Sequence, residues 1–395
     1  MRKIGIVTLN GGTNFGNKLQ NYALQRVIAE LGYQAVTLQN HVTEGIGVHR
    51  AESPTQRFDL SRYTRAVRSR LHYKYHLKNS KGGGLLWDCA FACLHRKKIK
   101  KTLSERDRVF RAFEAESIKL DPVPITDLAA SNLNSEEYSA FVAGSDQIWN
   151  PYYSFTSAVS FLQFAQEKKR VAYAPSFGVS EVPQALTAQY AEWLLSIPSL
   201  SAREEQGVEL IRRLTGRTAE LVADPTMLLT EAQWEEVAKK PGNIPSKDYI
   251  LTYFLGDVTS EYWKEIRLIA KRHHCEIVNL LDIKQPQYYA AGPTEFVYYI
   301  RNAKYVCTDS FHGTVFAIMM HRPFAIFQRL DEDGNMQSRF ATLLHNVGIE
   351  ERHSENGIFH YDDIHYNDVD KKLESLRQSS IDFLSNALQL AAGNE

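Results

Sequence analysis

The run Thr308-Asp309-Ser310-Phe311-His312-Gly313 joins residue types that do chemistry to a place where they can do it. Lys304 to Cys307 reads as a short buried strand, and helical periodicity follows at once, from about His312 to Met320. Asp309 or Ser310 is suited to cap that helix. His312 then falls in the first turn, beside free backbone N–H groups and the positive end of the helix dipole. An anion is favoured there, and an imidazole can donate a hydrogen bond or a proton to it. The alternative is a capped helix with a structural histidine.

Three other strand ends carry polar groups. Asn10, Asn14 and Asn17 follow the strand Lys3 to Leu9, but the Gly11–Asn17 segment lacks the spacing of a P-loop or of GxGxxG. Its amides suit neutral hydroxyls better than a bare phosphate, and a plain glycine-rich turn accounts for it equally well. Phe141-Val142-Ala143 runs into Gly144-Ser145-Asp146-Gln147-Ile148-Trp149-Asn150, where Asp146 is placed as a general base and Trp149 could stack on a sugar. Arg203, in Ser201-Ala202-Arg203-Glu204-Glu205, can clamp a carboxylate or phosphate in a bidentate fashion, or else form a helix-start ion pair.

The elements that must hold these residues alternate β and α. After the first strand, helical periodicity passes through Leu24, Val27, Ile28 and Leu31 to a stop at Gly32, and a strand follows at Ala35 to Leu38. Strands resume at Tyr138–Ala143, Arg170–Ala174, Ser199–Ala202 and Glu220–Ala223. Pro241-Gly242-Asn243-Ile244-Pro245 reads as a linker to a second set, with strands at Tyr249–Leu255, Ile277–Leu281, Lys304–Cys307 and Pro323–Phe327. The expected fold is α/β, with two Rossmann-like parallel-sheet domains in a GT-B-like layout, residues 1–243 and 244–395. A C-terminal helix, Lys371 to Ala391, is expected to cross back. In such folds ligands bind at the carboxyl ends of the strands. Residues of about 43–120 break the pattern and read as a basic helical insertion in the first domain: between Arg57 and Arg111 there are 16 Lys and Arg against 4 Asp and Glu. Arg62, Arg65, Arg68 and Arg70 form one cluster, and Arg96, Lys97, Lys98, Lys100 and Lys101 another, beside Leu85-Leu86-Trp87 and Phe91.

Composition narrows the classes. With 46 basic and 46 acidic residues, net charge selects no partner, and no nucleic-acid motif accompanies the basic segment. Cys89, Cys93, Cys275 and Cys307 lack zinc-like spacing and are expected to be free thiols; no metal cluster is visible. Neither a signal peptide nor an apolar run of membrane-spanning length is visible, so a cytoplasmic protein is expected.

Taken in order, these segments resemble the polysaccharide pyruvyl transferase family. The resemblance rests on Gly5-Ile6-Val7-Thr8 with Asn14-Phe15-Gly16-Asn17 and Gln20-Asn21-Tyr22-Ala23-Leu24-Gln25, and on Ala143-Gly144-Ser145-Asp146-Gln147-Ile148-Trp149-Asn150-Pro151. It continues in Tyr173-Ala174-Pro175-Ser176-Phe177-Gly178, Ser201-Ala202-Arg203-Glu204-Glu205, Asp224-Pro225-Thr226 and Thr308-Asp309-Ser310-Phe311-His312-Gly313. It implies a GT-B-like fold and phosphoenolpyruvate as donor substrate, with no cofactor. The product implied is a pyruvate ketal on a sugar of a bacterial surface polysaccharide or its lipid-linked precursor. His312 and Arg203 match the family's donor-binding histidine and one arginine, with Ser310 and Gly313 alongside. Many members carry an arginine where this chain has Ser310, and Arg339 or Arg329 would supply that charge. Catalysis would fall to His312 and Asp146, and acceptor binding to Asn14, Asn17, Gln20 and Trp149. A lipid-linked acceptor would place the enzyme at the inner face of the membrane, with the basic insertion either in peripheral contact or packed on the first domain as a solvated helical hairpin. Two rival readings on the same residues are a nucleotide-sugar-dependent glycosyltransferase and a catalytically silent glycan-binding protein.

Overall fold

A strand of a parallel sheet is covered on both faces, so it reads as an unbroken apolar run rather than an alternation. Lys3-Ile4-Gly5-Ile6-Val7 has that character and forms β1 (Lys3–Val7), buried from Ile4 onward. The computed structural model describes residues 2–42, 45–46, 90–91, 93–329, 335–352 and 364–393. β1 lies between β2 (Gln34–Thr37) and β3 (Tyr138–Ala143), and β4 (Arg170–Ala172) adds to the far side of β3, all parallel. Asn14 caps the crossover helix α1 (Phe15–Glu30) by accepting from the Asn17 backbone N–H at 3.2 Å.

β5 (Ser201–Ala202) and β6 (Glu220–Leu221) are shorter than their sequence predicts and pair only with each other. A single bridge, Val171 to Ser199, joins the segment before β5 to the edge of the first sheet. The helix α2 (Glu205–Thr215) lies between them and buries Gly207, Leu210 and Ile211. The second sheet is also wholly parallel, in the order β10 (Phe324–Ile326), β9 (Tyr305–Thr308), β7 (Tyr249–Tyr253), β8 (Glu276–Asn279). Two Rossmann-like parallel sheets with helical crossovers constitute the α/β, GT-B-like fold.

The two sheets share an apolar core. Ile4 and Leu19 of the first half belong to the same buried cluster as Val306 and Phe316 of the second. Phe15 stacks on Phe296 at 4.5 Å between ring centroids. The described end of the basic segment is a helix, Arg96–Ser117, and it touches both halves. Its buried Arg106 donates to the Tyr289 carbonyl at 2.6 Å and to the Thr13 carbonyl at 3.1 Å. The Arg62–Arg70 cluster and Leu85-Leu86-Trp87 lie outside the described residues. The last helix, Tyr366–Ala391, returns to the first half: Ser380 Oγ accepts from the Ala223 N–H at 2.9 Å, and Arg377 donates to the Met227 carbonyl at 3.0 Å.

Candidate active site

The carboxyl ends of both sheets open on one cleft of about 590 Å³. Thr8 and Leu9 follow β1 into it, Asp146 and Gln147 follow β3, and Arg203 follows β5. From the second half come Leu255 after β7, Ser310 and His312 after β9, and Arg329 after β10. This is the place where parallel α/β sheets ordinarily bind ligands.

Of the two expected caps, Ser310 is the one used: it begins the helix α3 (Phe311–Met319), its Oγ accepting from the Gly313 N–H at 3.3 Å. Asp309 serves another purpose. Its carboxylate accepts from the Leu255 and Gly256 N–H groups, each at 2.7 Å, and pairs with Arg329 Nε at 3.2 Å. Burial pushes the Asp309 carboxyl up, against the pull of Arg329 and those two N–H groups. Gly313 does not line the cleft, contrary to the sequence expectation. It is a packing residue: a Cβ there would lie 2.6 Å from Thr308 Oγ1.

His312, in the first turn of α3, is held between the two halves. Its Nε2 is buried without a hydrogen-bond partner, 3.6 Å from Asp224 Oδ2. On the other side its Nδ1 lies against Gly16 of α1, so closely that a Cβ at Gly16 would stand 2.1 Å from it. Asp224 is wholly buried and heavily bonded. Oδ2 accepts from Arg203 Nη1 at 2.9 Å and Ser145 Oγ at 3.1 Å, and Oδ1 accepts from the Thr226 N–H at 3.0 Å and Thr226 Oγ1 at 2.7 Å. Burial alone would raise its pKa. His312, Arg203 and the Thr226 N–H instead hold the carboxyl well below the usual carboxylate range.

Arg203 is buried among carboxylates. Besides Asp224 it meets Asp146 Oδ1 at 3.1 Å and Glu204 Oε2 at 3.5 Å, and its planar face lies 4.5 Å from the Phe311 ring centroid. Burial opposes its charge, but Asp146, Asp224 and Glu204 outweigh it and hold the guanidinium protonated. Arg339 is equally buried and in a different state. Among the described residues it makes no ion pair, and its Nε has no hydrogen-bond partner. Because a guanidinium only donates, the Gln147 amide atom facing it is the oxygen, at 2.7 Å from Nη1 and 3.2 Å from Nη2. Burial, then the neighbouring Arg203, brings the Arg339 pKa down to about 10.

Two expected acceptor residues are elsewhere. Trp149 does not reach the cleft: it is fully buried, stacked on Phe161 at 5.0 Å, with Nε1 donating to the Ser160 carbonyl at 3.0 Å. Gln20 is also fully buried and ties loops together, donating to Thr8 Oγ1 at 2.9 Å and accepting from the Ser145 N–H at 3.3 Å. Asn14, Asn17, Asp146, Arg203, Ser310, His312, Arg329 and Arg339 do line the cleft. The sequence reading passed over Gly16, Gln147, Tyr153, Phe155 and Glu204, and assigned Asp224 no role. The signal for Asp224 was its place at a strand end before Pro225; nothing local marked its pairing with residues far along the chain. No group of three His, Cys, Asp or Glu suited to a metal ion occurs among the described residues.

The family model described as polysaccharide pyruvyl transferase matches residues 14–330, most of the chain. No curated protein sequence matches it. Among solved structures, a protein assigned as UDP-N-acetylglucosamine 2-epimerase from Listeria monocytogenes aligns at 12% identity over 99% of this chain and 94% of its own, with a TM-score of 0.46. The UDP-GlcNAc 2-epimerase of Methanocaldococcus jannaschii aligns at 11% identity over 94% and 92%, with a TM-score of 0.40. The spinosyn rhamnosyltransferase SpnG aligns at 10% identity over 100% and 98%, with a TM-score of 0.31. At such scores these likenesses say nothing of substrate.

Proposed function

The chain belongs to the polysaccharide pyruvyl transferase family, and from that membership we propose that it transfers pyruvate from phosphoenolpyruvate to a sugar of a cell-surface polysaccharide or its lipid-linked precursor. The supporting observation is the state of Arg339: a buried cation at the cleft, beside Arg203, without an ion-pair partner among the described residues. A dianionic ligand there would offset the repulsion between the two arginines. Arg203 and Arg329 already face carboxylates, so Arg339 is the cation with most to gain.

The chemistry follows from the groups around that anion. A proton delivered to C3 of phosphoenolpyruvate makes C2 electrophilic. One sugar hydroxyl adds at C2 and gives up its proton. A second hydroxyl then displaces phosphate as the C2–O bond breaks, closing the ketal, and its proton leaves on the phosphate as hydrogen phosphate. His312 is the acid in this scheme, Asp146 takes a hydroxyl proton, and Arg339 with Arg203 stabilises the carboxylate and phosphate. Incubation with phosphoenolpyruvate and candidate glycans tests it: phosphate release together with a pyruvate ketal on the glycan is expected. Release of a nucleotide diphosphate from a nucleotide sugar, or glycan binding without turnover, would overturn it.

Arg339→Ala is expected to weaken phosphoenolpyruvate binding by about 1–3 kcal/mol, the scale of a charge-assisted contact. Titration calorimetry reads this directly. An unchanged Kd for Arg339→Ala beside a weakened one for Arg329→Ala would move the role to Arg329. Arg203→Ala is expected to weaken donor binding too, but with lost stability, because Asp146, Asp224 and Glu204 would then face no cation at that point.

The basic helix Arg96–Ser117 supports peripheral contact with anionic lipid, where a lipid-linked acceptor would reside. Arg96, Lys97, Lys98, Lys100 and Lys101 are exposed, next to Leu94, which is 80% exposed. No helix among the described residues is long and apolar enough to cross a membrane. Each cation near such a surface adds on the order of 1 kcal/mol, screened by salt. Sedimentation with phosphatidylglycerol vesicles at low salt, abolished by neutralising these five residues, is expected. No binding at low salt would sink the idea.

A further inference from the structure

The loop that follows the buried Trp149 brings two aromatic rings to the cleft. Tyr153 and Phe155 both line it, with ring centroids 5.1 Å apart and planes inclined by 46°. Phe155 is 36% exposed. An apolar ring left open in a cleft of mixed polar and apolar lining calls for an occupant with an apolar face. The loop is held in shape rather than loose. The Tyr152 N–H donates to Asn150 Oδ1 at 3.0 Å, Thr156 Oγ1 donates to the Asn150 carbonyl at 2.7 Å, and the Thr156 carbonyl accepts from the Ile46 N–H at 2.8 Å.

A second contact ties these rings to the anion end of the cleft. Gln147, whose amide oxygen accepts from Arg339, holds its other amide atom 3.2 Å from Tyr153 Oη. Gly178, with φ +62°, makes room for this amide: a Cβ there would lie 2.1 Å from it. The rings are therefore at a fixed place relative to Arg339. The polar lining left over is neutral. Asn14 and Asn17 reach the cleft, and the Asn17 side-chain amide makes no hydrogen bond among the described residues.

We infer that Tyr153 and Phe155 form the acceptor platform, stacking on the apolar face of an uncharged pyranose ring whose hydroxyls meet Asn14 and Asn17. The inference deepens the proposed function and rests on it only for the word acceptor. Each aromatic face presents a weakly negative surface to the ring C–H groups, and the two inclined rings take over the role the sequence assigns to Trp149. Cations that would favour an acidic sugar are committed to carboxylates or, in Arg339, to the donor.

Saturation-transfer NMR on the full chain tests this with methyl β-D-glucopyranoside, methyl β-D-galactopyranoside, methyl β-D-mannopyranoside and methyl β-D-glucopyranosiduronate. At least one neutral glycoside is expected to bind, with transfer strongest on the C–H groups of one face, and to bind better than the uronate. Phe155→Ala and Tyr153→Ala are each expected to lower that response at least fivefold, whereas Tyr153→Phe, which keeps the ring, retains most of it. No neutral glycoside binding, preference for the uronate, or a response unmoved by both alanine variants would overturn the inference. Phosphoenolpyruvate binding to the wild-type chain is measured in the same series. Glycoside binding that depends on Phe155 without any phosphoenolpyruvate binding would remove the donor assignment and leave the platform standing.

Discussion

His312→Ala is expected to lower phosphate release from phosphoenolpyruvate by about 10²–10⁴-fold, the range contributed by a positioned general acid or base. The protein should remain folded, because His312 stands at the first turn of a helix whose apolar face, Val315, Phe316 and Ile318, is unchanged. His312→Gln, which retains most of the volume, should lose as much. Gly16→Ala provides an independent check that leaves the imidazole in place. Alanine is the better helix former by roughly 1 kcal/mol, so α1 itself should not suffer. Yet the added Cβ would fall 2.1 Å from His312 Nδ1, and the ring must move. A displacement of about 1 Å at a reacting group can cost on the order of 10²-fold in rate. Circular dichroism and phosphate release on both variants are the measurements. Turnover near the wild-type value in folded His312→Ala would take the residue out of the mechanism, and in Gly16→Ala would show that its ring position is not critical.

Gly16 also marks where a linear reading stops. The periodic elements were legible: β1, α1 and its stop at Gly32, the strands of the second sheet, and α3 were each placed within a few residues of where they stand. Their signal is local, an apolar run bounded by a turn residue or a cap. Cleft residues that follow a strand were legible for the same reason, and so Asp146, Arg203, Ser310 and His312 were found. Helices Gln184–Leu195 and Asn335–Val347 were passed over, and with the second went the setting of Arg339. What no local pattern carries is the meeting of residues from different halves, such as Gly16 with His312 or Asp224 with Arg203 and His312. Trp149 shows the converse error. Its type suited a sugar, but its neighbour in space is Phe161 rather than the cleft, and the rings of the same loop that line the cleft are Tyr153 and Phe155.

Asp224→Asn is expected to be among the most damaging single changes in the chain. The carboxylate accepts four hydrogen bonds, one of them from Arg203, and faces His312 Nε2. Asparagine keeps the size but turns one oxygen into a donor, set either against Arg203 and Ser145 at the Oδ2 position or against Thr226 at the Oδ1 position, and removes a charge that balances buried Arg203. Removing one partner of a buried ion pair costs about 3–5 kcal/mol. Denaturant unfolding at pH 7 should show a loss of that order. The pH dependence gives a second signature. The Asp224 carboxyl is held below its unfolded-state value, so it binds protons less readily in the folded chain than in the unfolded one. Its contribution is therefore fully present at neutral pH, above the unfolded value of about 4, and is lost as pH falls through that value toward the depressed folded one. The wild-type chain should lose stability steeply below about pH 5, and Asp224→Asn should lose less over the same interval. Turnover should fall with it, because both Arg203 and His312 would lose the group they face. Equal unfolding midpoints at pH 7 for the two proteins, or parallel losses of stability on acidification, would mean that Asp224 does not anchor the site.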